Sequence, residues 1–250
     1  MAGEPPPARL DLSSPRTYLE LLTATFEVVA RHSAVLLTAA LVLITPVALL
    51  VDGVWGRALA DGPRARPPTG AEAASLGLRV FLVLPVMSAI GAVAVQTLGG
   101  GRAPTLGGAL RAVAARLPAL LGAVILYVTG VAVGTALFVV PGIWVLVLWY
   151  FAAQAVVIDG LGPRDALRAS TDLVRGRWWH TAGVLLATGL LFGVGGSVVI
   201  GLIGATGSTA LYVAGLIVVE GTVAALTAVF VALLFFDLRV RGRRPGAGGL

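Results

Sequence analysis

Six apolar stretches, each near the length needed to cross a bilayer, constrain this chain more than any other feature. They cover residues 33–51, 76–98, 117–140, 143–158, 179–203 and 209–236. About 20 mostly apolar residues wound as a helix span the hydrocarbon core. Every backbone N–H and C=O in lipid needs an internal partner, which a helix supplies from its own chain. None of the runs has the short alternation of a membrane β-barrel. The expected fold is all-α: a polytopic bundle of six transmembrane helices. Composition agrees, with 58% of residues hydrophobic and 12% charged, where a soluble domain carries about a quarter charged.

The connections set the expected orientation. The chain has no Lys, so its net charge of +6 is carried by Arg. Arg9, Arg16 and Arg31 precede the first span. Arg102, Arg111 and Arg116 lie between the second and third, and Arg164, Arg168, Arg175 and Arg177 between the fourth and fifth. Arg239, Arg241, Arg243 and Arg244 follow the sixth. With six spans these fourteen share one face, and only Arg57, Arg64, Arg66 and Arg79 fall on the other. The positive-inside rule then puts both termini in the cytoplasm of a bacterial cell membrane. The same clustering explains a pI near 10.9 without nucleic acid. Residues 1–14 are expected to form a disordered tail with no signal-peptide pattern. Residues 15–238 form the transmembrane domain and 239–250 a basic, Gly-rich tail. The Pro- and Gly-rich 52–75 connection reads as a mobile loop. Pro141-Gly142 reads as a hairpin turn between the third and fourth spans.

Three stretches on the arginine-rich side read as amphipathic interfacial helices. Pro15 and the Thr17-x-x-Glu20 capping box open the first, with Tyr18, Leu22, Phe26 and Val29 on one face. Thr105 precedes the second, striped by Leu106, Leu110, Val113 and Leu117. The third runs through 163–177, with Leu167, Thr171, Val174 and Trp178 opposite Arg164, Arg168, Asp172 and Arg175.

From Pro141 onward the chain carries a longer pattern. Pro141-Gly142 is followed by Asp159-Gly160, Ala166-Leu167, Ser170, Leu173, Gly176 and Trp178, and the last span closes on Phe236-Asp237-Leu238-Arg239-Val240-Arg241. This pattern resembles bacterial six-span proteins of actinobacterial type, related to the transmembrane region of glycerophosphoryl diester phosphodiesterases. The acidic position is more often Glu there, and this chain has Asp159. The resemblance implies a six-span membrane domain. It does not carry over the phosphodiesterase activity, which belongs to a separate soluble domain that this sequence does not show.

Candidate sites are few. Glu220 falls in mid-span among Val218, Val219 and Val223, where an acid is costly and marks a proton or cation site or an inter-helix hydrogen bond. Gln96 and Thr129 are its candidate partners. Gly189, Gly193, Gly196, Gly201 and Gly204, with Gly130 and Gly134, have spacings that favour close helix packing. His32 and His180, beside Arg31 and Trp179, read as interfacial anchors, and two histidines without paired carboxylates make no metal site. No catalytic residues, metal or cofactor are expected. The function read from this is a non-enzymatic accessory or organising membrane protein, contacting anionic lipid headgroups through Arg164, Arg168 and Arg175, or a membrane partner or second copy. The alternative is a small transporter or channel with Glu220 on its pathway. The orientation predicts that a reporter fused after residue 60 reads as external and one after residue 250 as cytoplasmic; either reversed result overturns the six-span arrangement.

Overall fold

A computed structural model describes residues 10–48 and 83–242. The 52–75 connection, the first part of the second predicted span (76–82), the arginines between 57 and 79, and residues 1–9 and 243–250 lie outside the described residues. All regular elements among the described residues are helices: α1 Tyr18–Arg31, α2 Ser33–Ala48, α3 Leu84–Gly99, α4 Leu106–Ala115, α5 Leu117–Leu137, α6 Val139–Leu148, α7 Ala152–Asp159, α8 Pro163–Val174, α9 Trp178–Gly204 and α10 Thr209–Gly242. Among the described residues four spans are long and apolar enough to cross a membrane: α5, α6 with α7, α9, and α10 from Ala214. A fifth is present if the bent pair α1–α2 counts as one. The fold is all-α, with several helices suited to a membrane interior.

Helix α10 is the axis of the bundle. Its C-terminal half is buried all round: Ala225, Val229, Phe230, Val231, Ala232, Leu233, Leu234, Phe235 and Leu238 are all inside. A helix apolar on every face is stable only when surrounded. Helices α1, α2, α3 and α9 pack on it, and Gly91 of α3 sits so close that a methyl there would lie 2.6 Å from the Ala228 carbonyl oxygen. Helix α10 continues to Gly242, so residues 239–242, expected as tail, are helical. Within residues 10–14, expected as part of a disordered tail, Leu10 and Leu12 lie against the core and the Leu10 N–H reaches the Leu98 carbonyl at 3.4 Å, while Asp11, Ser13 and Ser14 are exposed.

The capping box at α1 is present. The Thr17 N–H donates to Glu20 at 2.7 Å, and the Glu20 N–H donates to the Thr17 hydroxyl at 3.4 Å. The bonds that the Thr17 N–H and hydroxyl make to the carboxylate hold the Glu20 carboxyl below the usual carboxylate range. The inner face of α1 differs from the expected stripe. It runs through Leu21, Thr25, Val28 and Val29, while Phe26 is exposed. Thr25 fits an apolar face because its hydroxyl donates to the Leu21 carbonyl at 2.7 Å, leaving its methyl outward. After His32 the chain turns by 86° into α2.

The expected hairpin exists, but its turn lies three residues earlier. The chain reverses at Phe138, which is extended (φ −160°, ψ 149°), and Pro141-Gly142 lies in the first turn of α6. Pro is tolerated there because first-turn N–H groups have no partner within the helix. Gly142 instead permits close packing, since a methyl on Gly134 of α5 would lie 3.0 Å from the Gly142 Cα. The fourth span is also broken, between Leu148 and Ala152. Ser170 of α8 repairs the break: its hydroxyl donates to the Leu148 carbonyl at 2.7 Å and accepts the Phe151 N–H at 3.1 Å. Ser170→Ala removes both bonds from a buried site and should lower stability by about 1–3 kcal/mol. Thermal unfolding in detergent should show a lower Tm; an unchanged Tm rules out the repair.

Candidate functional site

The polar chemistry of the described chain gathers where the N-terminal segment, the end of α10 and the α8–α9 junction meet. Asp237 is its centre and is only 4% exposed. One carboxylate oxygen accepts the Arg16 N–H at 2.7 Å and the other the Arg241 Nε–H at 2.6 Å. The Arg241 guanidinium also donates to the Arg16 carbonyl at 2.6 Å, and Arg177 donates to the Arg241 carbonyl at 3.0 Å. Burial of Asp237 is affordable because both of its oxygens are bonded. Two residues on, on the opposite side of α10, Arg239 pairs with Asp159 and lies 4.4 Å over the Phe235 ring. Arg116 donates to the Gly160 carbonyl at 3.0 Å.

The resemblance residues from Asp159 to Trp178 lie in and around this region, while Pro141 and Gly142 stand at the α5–α6 turn. Gly160 (φ +69°) ends α7 and Gly176 (φ +80°) follows α8, both in the left-handed conformation that glycine adopts without strain. Ala166 and Leu167 are buried in α8, and Leu173 packs against the core. The Trp178 ring stacks on Trp144 at 4.5 Å, with its Nε1–H 3.3 Å from the Trp144 carbonyl, and meets Trp179 edgewise at 4.7 Å.

Arg164, Arg168 and Arg175 are exposed on α8, opposite buried Ala166, Leu167, Ser170 and Val174. Arg168 lies 3.4 Å from Asp165 and Arg175 3.8 Å from Asp172; all four side chains are largely exposed, so these pairs contribute little. An open groove of about 1110 Å³ adjoins this helix. Trp144, Trp178 and Trp179 form its aromatic part, and Arg175, Arg177, Arg241 and His180 its basic part.

Glu220 is half-buried on α10 and lines a separate cavity of about 290 Å³. Ser197 and Thr227 are its other polar walls, and Phe192, Gly193, Gly196 and Val223 are among the apolar ones. The structure does not bring Gln96 to it. Gln96 is exposed in the last turn of α3, where its carbonyl accepts the Gly100 N–H at 3.1 Å. Thr129 is exposed on α5. A fully buried amide is instead found at Gln154 of α7, which donates to the Ser88 hydroxyl at 2.5 Å. Its position inside an apolar run was the available signal, and sequence periodicity does not say which face of a broken helix turns inward. Of the glycines in α9, Gly196 packs against Val223, while a methyl on Gly189, Gly193 or Gly201 would meet nothing within 4 Å. Most of that row is therefore not a packing seam among the described residues. His32, at the α1–α2 bend, has its pKa lowered by burial and by neighbouring Arg31.

No family model, curated protein or solved structure matches this chain. The resemblance rests on its motif residues alone, and the functional reading rests on this geometry. Asp237→Ala strands the Arg241 guanidinium and the Arg16 N–H. It should cost on the order of 2 kcal/mol, as for hydrogen bonds to charged groups, and free the N-terminal segment. Trypsin should then cleave after Arg16 faster than in the parent; equal rates sink this assignment.

Proposed function

We propose that this chain is a non-enzymatic accessory or organising protein of a bacterial cell membrane, spanning it six times with both termini in the cytoplasm. The observation that carries the reading is the face of α8. Its inner residues are closed into the bundle, and its outer residues present Arg164, Arg168 and Arg175 at the end where the fold's polar chemistry collects. Exposed basic residues at a membrane edge gain about 1 kcal/mol each from an anionic leaflet, screened over a Debye length. The contact between Arg16 and Asp237 supports the topology. It joins the two ends of the described chain on one side, which requires an even number of spans. Five spans are then one too few, and α3, whose predicted run begins at residue 76, supplies the sixth. In this reading α1, α4 and α8 lie along the cytoplasmic interface, and the 86° bend after α1 is the turn from that plane into the bilayer. The resemblance to phosphodiesterase membrane domains fits the same arrangement. Its motif residues build the α6–α8 scaffold rather than a path through the membrane.

A second reading has one observation behind it: Glu220 faces a cavity, as a transport site requires. The walls of that cavity are mostly apolar, which favours a closed pocket. Both readings meet in one preparation of proteoliposomes. Replacing Arg164, Arg168 and Arg175 together by Gln should leave folding and insertion intact. It should weaken retention of anionic lipid at low salt, with parent and variant converging as salt rises. Vesicles holding the parent should keep an imposed proton gradient. Equal retention of anionic lipid by both proteins overturns the lipid-contact reading, and a gradient leak abolished by Glu220→Gln puts transport in its place.

A further inference from the structure

The groove beside α8 is built differently from the exposed α8 face. Its basic groups converge from three elements: Arg175 follows α8, Arg177 and His180 stand at the start of α9, and Arg241 comes from the end of α10. The nearest carboxylates leave positive charge in excess. Asp237 is saturated by Arg241 and the Arg16 N–H, and Asp172 lies 3.8 Å from Arg175 across an exposed pair. Among the described residues Arg177 has no carboxylate partner. One of its N–H groups goes to the Arg241 carbonyl, and a guanidinium has five donors in a planar fork suited to phosphate. The first turn of α9 opens into the same groove, and no side chain caps it. The free N–H groups of such a turn add to the attraction for an anion.

The apolar part of the groove says what carries that phosphate. Trp144 and Trp178 are stacked as one wall, and Trp179 is 79% exposed at the groove edge. A large indole left open at a membrane edge matches a boundary of headgroup and chain. From Trp179 one helical face of α9 continues through Gly183, Leu186 and Leu190, at spacings of four, three and four residues. Leu186 and Leu190 are exposed, and nothing among the described residues lies within 4 Å of a methyl built on Gly183. The lane is apolar, uncovered, and begins where the basic groove ends. A free phosphate or an acidic protein segment has no use for such a lane, whereas a diacyl phospholipid has use for both parts.

We propose that this groove is a binding site for one anionic phospholipid, with its phosphate held by Arg177 and Arg175, its glycerol region against Trp179, and an acyl chain along Gly183, Leu186 and Leu190. The proposal rests on the lipid-contact reading and shares Arg175 with it, but names a stoichiometric site whose other groups lie outside the α8 face. The probe is phosphatidylglycerol, compared with phosphatidylcholine of the same chains. Native mass spectrometry would count lipids retained by purified full-length protein after detergent washing at high salt. The parent should keep one phosphatidylglycerol and release phosphatidylcholine. Trp179→Ala, which removes an exposed ring, and Arg177→Gln, which keeps an amide donor for the Arg241 carbonyl, should each weaken retention about tenfold, the scale of one charge-assisted contact. Arg164→Gln with Arg168→Gln, outside the groove, should leave the retained lipid in place while lowering salt-sensitive vesicle binding. Melting temperatures for all variants separate lost binding from lost folding, and Trp179→Phe should restore retention. The groove assignment is overturned if the parent keeps no lipid after washing. It is also overturned if inorganic phosphate displaces the lipid at equal concentration, or if the α8 pair alone removes it. In that last case the surface reading survives without the site.

Discussion

The arrangement depends on one constraint: the C-terminal half of α10 is surrounded by protein, yet it ends in a charged sequence. A buried helix delivers its last carbonyls and any polar side chains into the region where the bundle stops, and each needs a partner there. Asp237 is the point of greatest need, and the structure meets it with two nearby groups, the Arg16 N–H and the Arg241 side chain. That choice fixes the rest. Residues 10–16 are drawn onto the bundle, Arg177 is drawn to the Arg241 carbonyl, and Arg239 reaches Asp159 on the far side. The N-terminal segment, the α7–α8 corner and the α8–α9 junction are thereby held to the end of one helix.

Inside a bilayer, lipid is as apolar as a leucine side chain, so burial alone gives helices little reason to associate. The helix contacts use the remaining means, close approach and polar bonds. Gly91 against Ala228 and Gly134 against Gly142 let backbones meet. Gln154 to Ser88 provides a bond that lipid cannot replace. Ser170 belongs to the same class, since it answers two backbone groups released by the break in the fourth span.

Much of this fold was legible in the sequence because bilayer physics writes itself into composition. Long apolar runs, the Thr17-Glu20 cap and the inward placing of Leu167 and Val174 on α8 each follow from a local rule that tertiary structure does not overrule. The errors have equally local causes. Thr25 looks polar but bonds its own helix, which shifted the inner face of α1 off the expected stripe. Pro141-Gly142 looks like a turn, yet Pro suits a first helical turn and Gly142 serves a packing contact. Gln96 and Glu220 looked like partners because both interrupt apolar runs, but depth along a helix does not fix azimuth, and Gln96 is exposed. The Asp237 cluster was beyond reach for another reason. Its partners lie more than two hundred residues apart in the chain, and arginines read as topology markers carry no sign of which will be consumed by structure.

That division among the arginines is what gives the functional reading its content. Arg16, Arg116, Arg239 and Arg241 spend backbone or side-chain donors on fixed acceptors, and Asp159 and Asp237 offset the charge of Arg239 and Arg241. Arg164, Arg168 and Arg175 spend little, since their acidic neighbours on α8 are exposed and solvated. Arg177 stands between the groups. It anchors one carbonyl and retains donors and full charge beside three tryptophans. A positive-inside bias alone is indifferent to which arginine does what. A fold that closes Asp237 on Arg241 and Asp159 on Arg239 to hold one end together leaves Arg164 and Arg168 exposed on α8 and Arg175 and Arg177 beside an aromatic groove, at the end where the proposed lipid contact would lie.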